Sequence, residues 1–370
     1  MRALVLHAAG SIADAPLRIV DRIAPSPGRD ELRLRVTACA VCRTDLQIVS
    51  GDLAAHRLPL IPGHQVVGTV EAIGEAVPVA GPGGWRIGDR VGVTWLAGFD
   101  GTCRFCREGR ENLCRAATFT GWDRDGGYAE SMTVRADVAV HLGSDLPDEG
   151  AAPLLCGGVI GYRALRLSVV APDGIRAGGR LGLYGFGASA LQAIQVARHW
   201  GCEVHVASRT PADLERATAF GAASVGGYDE APPRPLDAAI TFAPVGSVVV
   251  AALRALDRGG TVVINAIHLD GMPAFPYDDL WWERSIRSVA NVTRRDAQEY
   301  LDLAAAIPIR TETEIHPLEQ GNEALARLER GEIAGSAVLV PWDGGSRQEV
   351  GTSRRRPRVN PLERSCSGCA

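Results

Sequence analysis

Apolar and polar positions alternate in short runs through roughly the first 150 residues, then give way to longer one-sided patterns. "RALVL", "ELRLRVTACAVC", "VVGTVEAIG", "DRVGVTWL" and "YAESMTVRADVAVHL" are strand-like runs broken by Gly and Pro, which predicts an irregular, β-rich first domain. From about residue 160 strand and helix signals alternate, the signature of βαβ units around a parallel sheet. The strands expected there are "RLGLYGF", "EVHVAS", "AASVG", "LDAAITFA", "TVVINAI" and "SIRSVANV", mostly apolar throughout, as strands covered on both faces require. Between them "ASALQAIQVARHWG", "PADLERATAFG" and "SVVVAALRALDRGG" read as helices, each closed by a C-terminal glycine. "AQEYLDLAAAI" and "GNEALARLERGE" follow as helices, and "GSAVLVPW" as a strand placed back on the first domain.

A chain of 370 residues exceeds what one apolar core usually supports, so two domains are expected. With 46% apolar and 22% charged residues and a net charge of -4, the composition is that of a soluble globular protein without a basic field for nucleic acid. The apolar run near the N-terminus is too short to span a membrane and no signal-cleavage region follows it, so a cytoplasmic location is expected. Nine cysteines in a reducing compartment are expected as thiols and metal ligands, with Cys39 and Cys202 as plain core residues. From Asp343 onward the sequence is polar, Arg-rich and aperiodic, a disordered tail. Its Cys366 and Cys369 form a C-x-x-C pair that could bind metal or cycle in redox chemistry; two exposed thiols is the preferred reading.

Two clusters carry chemistry. "FDGTCRFCREGRENLC" places Cys103, Cys106 and Cys114 in a metal-binding rhythm with Asp100 where a fourth cysteine is due, either a site with one substituted ligand or a relic. "LGLYGFGASALQAIQVA" gives Gly185, Gly187 and Ala190 as G-x-G-x-x-A between a strand and a helix, a dinucleotide-binding turn. At the end of the next strand Ser208 and Arg209 stand where a carboxylate would select a free ribose hydroxyl, which predicts NADP(H). The competing reading has Arg209 merely pointing to solvent.

"CAVCRTDLQ", "PLIPGHQVVGTV" and "APLLCGGVIGYRAL", taken in order with those two clusters, resemble the zinc-dependent alcohol dehydrogenases of the medium-chain dehydrogenase/reductase superfamily, from Met1 to about Trp342. The resemblance implies an α/β chain: a GroES-like β-rich catalytic domain over residues 1–157, completed by 295–342, and a Rossmann doubly wound domain over 158–294. The tail of 343–370 falls outside it. It further implies a catalytic zinc on Cys42, His64 and Cys156 with one open position, and a second, structural zinc on Asp100, Cys103, Cys106 and Cys114. By the same resemblance Asp45 hydrogen-bonds His64, Thr44 shuttles the substrate proton, and Arg43 contacts the cofactor pyrophosphate. Many relatives continue the proton relay through a histidine where this chain has Gln47, and carry a glutamate where it has Gln65. Trp95 matches a substrate-pocket position. Trp122, His56 and His268 fall on segments expected to border the cleft, though for His56 ordinary surface placement is the simpler reading.

The activity so implied is hydride transfer between NADP(H) and a primary or secondary alcohol, or the matching aldehyde or ketone. The runner-up is an NADPH-dependent reductase of an activated C=C or C=N bond on the same scaffold; a noncatalytic NADPH-binding redox sensor ranks third. A small-molecule alcohol or carbonyl partner and a homodimer or homotetramer are expected, with neither nucleic acid nor membrane.

Overall fold

The structure, a computed structural model, describes residues 1–79, 83–144, 146–168, 178–307 and 309–341. The expected tail, with Cys366 and Cys369, lies outside the described residues.

The chain begins with two antiparallel strands, β1 (Arg2–Leu6) and β2 (Leu17–Asp21). In β3 (Glu31–Ala40) Leu32 and Leu34 are buried while Arg33 and Arg35 face outward, the alternation of a strand with one covered face. The helix α1 (Arg43–Ser50) turns off its end, and β4 (Gln65–Ile73) returns against β3. β5 (Arg90–Val93), β6 (Leu96–Gly98), α2 (Arg104–Arg107), β7 (Thr118–Phe119), β8 (Ser131–Arg135) and β9 (Val140–His141) follow. Next come α3 (Asp148–Ala151), α4 (Gly157–Leu167), β10 (Arg180–Tyr184), α5 (Ala188–His199), β11 (Glu203–Ala207), α6 (Pro211–Ala219) and β12 (Ser224–Gly226). β13 (Leu236–Thr241), α7 (Gly246–Arg254), β14 (Leu256–Ile264) and β15 (Ser285–Ser288) complete this half. The chain then runs through α8 (Arg294–Ala306), β16 (Thr313–Pro317), α9 (Gly321–Glu329) and β17 (Ser336–Val340).

Among the described residues, β10 to β15 form one parallel sheet in the order β12-β11-β10-β13-β14-β15. The order reverses between β10 and β13, and a crevice at the carboxyl ends of the strands is the usual consequence. Leu181, Leu183, Ile240, Val262 and Val263 on the central strands are fully buried, which explains their continuous apolar runs. The second sheet runs β16-β17-β3-β4-β5-β9, with β8 also on β3. Val338 pairs with Ala40 and Leu339 with Cys39, so the last strand does return to the N-terminal sheet. A single apolar cluster joins Ala38 and Val67 of this sheet, through Leu154, Leu155 and Val159, to Leu183 and Ile194 of the parallel half. Cys39 and Cys202 are both core residues.

Two local expectations change, and one strand goes unpredicted. "DRVGVTWL" breaks after Val93 into β5 and β6, which leaves Trp95 at the bend and off either strand. α5 and α6 do end before positive-φ glycines, Gly201 and Gly221, but α7 ends at Ala255 and runs straight into β14. Gly259, at φ 72°, therefore lies within a strand whose register shifts opposite Leu236 and Ala238, so the glycine pair forms an irregularity in the strand instead of a helix cap. β16 escapes the pattern because "TEIHP" is a mostly polar edge strand.

The turn that carries His64 is clamped to the segment 121–128. Gly126 N donates to Ile61 O at 2.7 Å, Gly127 N to Gly63 O at 2.9 Å, and Tyr128 N to Pro62 O at 3.0 Å. A Cβ on Gly126 would lie 1.9 Å from Gly63 O, and Gly63 itself sits at φ 95° against the Tyr128 ring. Gly126→Ala should therefore cost about 3 kcal/mol, the upper end of overpacking. Gly143→Ala, with open space at its Cβ, should stay within about 0.5 kcal/mol; urea unfolding of both variants checks this.

Candidate metal centre and dinucleotide turn

Cys42 closes the loop after β3 and is the cap residue of α1, with extended backbone at φ -122° and ψ 159°. Cys156 stands in the same position before α4. Both sulfurs thus lie at helix N-termini, where unpaired N–H groups favour negative charge. His64 follows the clamped glycine turn and is 1% exposed. Ligand atoms of Cys42, His64 and Cys156 all lie within 4.8 Å of one another.

Asp45 organises this corner. Fully buried, it accepts from Cys42 N through Oδ2 at 2.9 Å, and from Gly63 N at 3.2 Å and His64 Nδ1 at 2.8 Å through Oδ1. With Nδ1 bound to a carboxylate, the other ring nitrogen of His64 is the available one. Nε2 is buried without a hydrogen-bond partner among the described residues. Burial alone would lower the imidazolium pKa, but the Asp45 carboxylate and the adjacent Cys42 hold it up at about 10. A hydrogen bond from Cys156, then the neighbouring His64, carries the Cys42 thiol well below its ordinary value against the penalty of burial, while Cys156 is pushed well up by that same bond and by burial. Two sulfurs and one imidazole nitrogen are donors that suit a zinc ion, and the unpartnered Nε2 fits such an ion.

Thr44 is buried, with Oγ1 3.8 Å from Cys42 Sγ. Gln47 lies one turn along α1, half-buried, and Arg43 is exposed at its first position. Gln65 is buried and turned to its own sheet, its amide donating to Ala40 O at 3.4 Å. Trp95 faces His64 with ring centroids 6.0 Å apart, and Trp122 stacks on Trp95 at 5.9 Å. Phe119, missed in the sequence, fills the angle between them at 4.7 Å and 5.7 Å. His56 is exposed, stacked on Trp122 and paired with Asp123 at 2.6 Å, while His268 is exposed on the loop after β14. Tyr128, also missed, lies wholly buried beneath the centre, its phenol pKa raised by burial and by the nearby Asp45, Cys39 and Cys42.

The dinucleotide turn lies close by. Gly185, at φ 96°, follows β10 and donates from N to Ala207 O at the end of β11 at 2.7 Å. Nothing lies within 4 Å of the Cβ position at Gly187, which caps α5, and Ala190 is fully buried where α5 meets the sheet. An open backbone at a helix N-terminus fits a pyrophosphate. A Cβ on Gly157, next to Cys156, would meet Ser189 Oγ at 3.2 Å, so the end of α4 that follows Cys156 lies close on α5. After β11 Ser208 is buried and Arg209 exposed; Tyr228, a third residue missed in the sequence, borders both.

Asp100, Cys103, Cys106 and Cys114 also bring ligand atoms within 4.8 Å of one another. Oδ1 of Asp100 accepts from Thr102 N and Cys103 N, both at 2.8 Å, and these bonds hold its carboxyl well below the usual range. Cys103 Sγ and Cys106 Sγ are 3.5 Å apart. The N–H of Cys106 helps lower the Cys103 thiol, while desolvation and its partner Cys103 push Cys106 up to about 12. Three sulfurs and a carboxylate oxygen fit a closed metal site. The lobe is latched to the start of α8 and the segment before it: Asn112 Nδ2 donates to Ala290 O at 2.6 Å, and Glu111 Oε1 accepts from Arg294 N at 2.9 Å.

Residues 28–144 match the family described as the alcohol dehydrogenase GroES-like domain, and residues 188–306 the family described as zinc-binding dehydrogenase. The chain is 48% identical over 341 residues to a probable alcohol dehydrogenase, AdhA, of Mycobacterium tuberculosis, covering 92% of this chain and 97% of that protein. A thermostable alcohol dehydrogenase from Pyrobaculum aerophilum, solved with cobalt and zinc bound, superposes with a TM-score of 0.80 at 27% identity, over 92% of this chain and 99% of the other. A structure assigned to a zinc-binding dehydrogenase from Sinorhizobium meliloti, bound to NADP, gives 0.77 at 25% identity over 92% and 99%.

The two hydrogen bonds to Asp100 Oδ1 separate loop order from metal binding. In metal-stripped protein, Asp100→Asn keeps an oxygen for Thr102 N and Cys103 N and should leave their amide exchange within about threefold of wild type, whereas Asp100→Ala should accelerate both by tenfold or more. Hydrogen exchange resolved to these amides reads the difference.

Proposed function

Because the chain belongs to the zinc-type alcohol dehydrogenases of the medium-chain dehydrogenase/reductase superfamily, we propose that it moves a hydride between NADP(H) and a primary or secondary alcohol, or the matching aldehyde or ketone. The observation that carries this reading is the convergence of Cys42, His64 and Cys156, with Asp45 on one nitrogen of His64 and the other nitrogen unpartnered. A zinc ion held there would supply Lewis acidity toward the alcohol or carbonyl oxygen, and a bound nicotinamide would supply the hydride chemistry. Asp45 holds the proton on Nδ1 of His64, so Nε2 is the nitrogen that would give its lone pair to the ion. Thr44, buried beside Cys42, is the hydroxyl placed to accept a hydrogen bond from the substrate oxygen and hand the proton on. Gln47 cannot ionise, so release beyond Thr44 uses water or a ribose hydroxyl. Trp95, Phe119 and Trp122 form a wall that suits an apolar substrate and excludes water.

Gly185, Gly187 and Ala190 cradle the pyrophosphate, with Arg43 as its cation. With Ser208 where a carboxylate would exclude a 2'-phosphate, and Arg209 as the cation beside it, the site takes NADP(H), a reading supported by the exposed guanidinium at that corner and by the NADP-bound Sinorhizobium meliloti structure. Asp100, Cys103, Cys106 and Cys114 hold a second, structural zinc. The proposed catalytic unit is 1–157 with 295–342, and the dinucleotide unit is 158–294. A homodimer or homotetramer is part of the reading; exposed Tyr277, Trp281 and Trp282 lead into the edge strand β15, a surface that suits a second copy. A cytoplasmic location is part of the same reading. No described helix is long and apolar enough to cross a membrane.

Elemental mass spectrometry should find two zinc ions per chain, one remaining in Asp100→Ala; one ion in wild type, lost in Cys42→Ser, would make the lobe a relic. NADPH oxidation should be faster with an apolar aldehyde than with an activated C=C bond, and absent in Cys42→Ser. The opposite substrate order would favour the C=C reductase. Gln47→His should raise alcohol-oxidation turnover a few-fold, the low end of acid–base contributions, where proton release limits the rate. Unchanged turnover together with a measurable solvent isotope effect would sink that role.

A further inference from the structure

Ser208, the residue that follows β11, is 4% exposed, and its one proton is committed: Oγ donates to Asp213 Oδ2 at 2.9 Å. The direction is fixed, because a carboxylate only accepts. Asp213 is itself held in place. Thr210 Oγ1 donates to the same oxygen at 2.5 Å, and Arg216 Nη2 reaches Oδ1 at 3.1 Å. Arg216 Nη2 also donates to Phe186 O at 2.7 Å, inside the Gly185–Gly187 turn. One carboxylate, five residues beyond the expected position, therefore ties the ribose end of the site to the pyrophosphate turn.

A serine whose proton is committed offers only lone pairs. A ribose 2'-hydroxyl can donate into them. A 2'-phosphate dianion has no proton to give, and it meets those lone pairs with a carboxylate behind them. The Ser208 hydroxyl can turn toward a phosphate only by releasing Asp213. Arg209 pulls the other way: it is exposed, with no hydrogen bond or ion pair among the described residues, and supplies the cation a 2'-phosphate needs. We propose that Asp213, acting through Ser208, is the positioning residue that sets dinucleotide choice, and that it keeps the site open to NAD(H) beside NADP(H). The proposal rests on the dinucleotide-binding reading given above and adds the residue that limits its selectivity.

Dissociation constants for NADPH and NADH, measured by nicotinamide fluorescence on the full chain at pH 7.5, test this without turnover. Wild type should bind both within about tenfold. Asp213→Asn, whose amide N–H can donate to Ser208 Oγ and free its proton, should shift the NADPH:NADH preference by about tenfold toward NADPH, the scale of one charge-assisted hydrogen bond. Ser208→Ala should weaken NADH, and in that background Asp213→Asn should move the ratio by less than about twofold. Thermal melting identifies any variant that fails to fold, and the milder Asn substitution keeps the comparison available if Asp213→Ala does not fold. An NADH constant more than about a hundredfold weaker than that of NADPH in wild type, or an unmoved ratio in Asp213→Asn, overturns the proposal. Binding of neither dinucleotide to wild type overturns the functional reading as well.

Discussion

A single buried carboxylate holds the metal corner together. Asp45 is wholly inside the protein and would be costly there alone, since a buried charge needs donors to replace its water. It finds three, on Cys42 N, Gly63 N and His64 Nδ1. Each bond does a different job: the first starts α1 and so orients Cys42, the second pins the glycine turn, and the third fixes the His64 ring. Two of the three converging side chains are thus placed by one residue that does not join them. The third, Cys156, arrives by tertiary packing of α4. The corner tolerates the buried charge because helix, turn and ring share it, and none of the three could keep its geometry if the carboxylate were replaced by an apolar group.

The link between the metal corner and the dinucleotide turn is steric. α4 begins at Gly157 and lies on Ser189 at the start of α5, so the residue after Cys156 and the residues after Gly187 share one contact. A side chain at 157 would meet Ser189 Oγ and Gln192 Nε2, and one at 158 would meet Tyr300 and Gln192. Gln192 and Tyr300 are hydrogen-bonded at 3.1 Å in the same buried layer, which carries the contact on to α8. The cysteine-rich lobe reaches the same connection from outside through Glu111 and Asn112. Both candidate metal sites therefore rest on the segment where the chain passes from one sheet back to the other.

Much of this is legible in the sequence. The parallel half announced itself because strands covered on both faces must be apolar throughout, and Gly201 and Gly221 marked two helix ends correctly. The cysteine lobe was legible because spacing within a turn is local, as at Cys103 and Cys106, whereas Cys42, His64 and Cys156 lie far apart in the chain and were expected only through the family resemblance; the structure brings the atoms of each set together. Residues that act through long-range packing were not legible. Tyr128 reads as an ordinary strand residue until Gly63 is seen to lie against its ring. Phe119 carries no signal of its own, and Asp213 looks like a first-turn helix acid until the Ser208 hydroxyl is found on it. The Gly259–Gly260 pair misled for a physical reason: a positive φ serves a helix end and an irregular strand equally well, and only the pairing register separates them.

The aspartate in the cysteine lobe shows how a substitution can serve the loop and the ligand set at once. A thiolate accepts N–H bonds weakly, whereas Asp100 takes two short ones on Oδ1 and still brings a carboxylate oxygen within 4.8 Å of the three sulfurs. The loop is therefore ordered by its own backbone before any ion arrives, and less of the ordering has to come from the metal. The same bonds keep the carboxyl ionised, so a cation would not have to displace its proton, as it must at Cys106. What is given up is softness, since oxygen holds a thiophilic ion less firmly than sulfur does. A lobe built this way trades metal affinity for a loop that keeps its shape, and its latch on Ala290 and Arg294 can stay closed when the ion is gone.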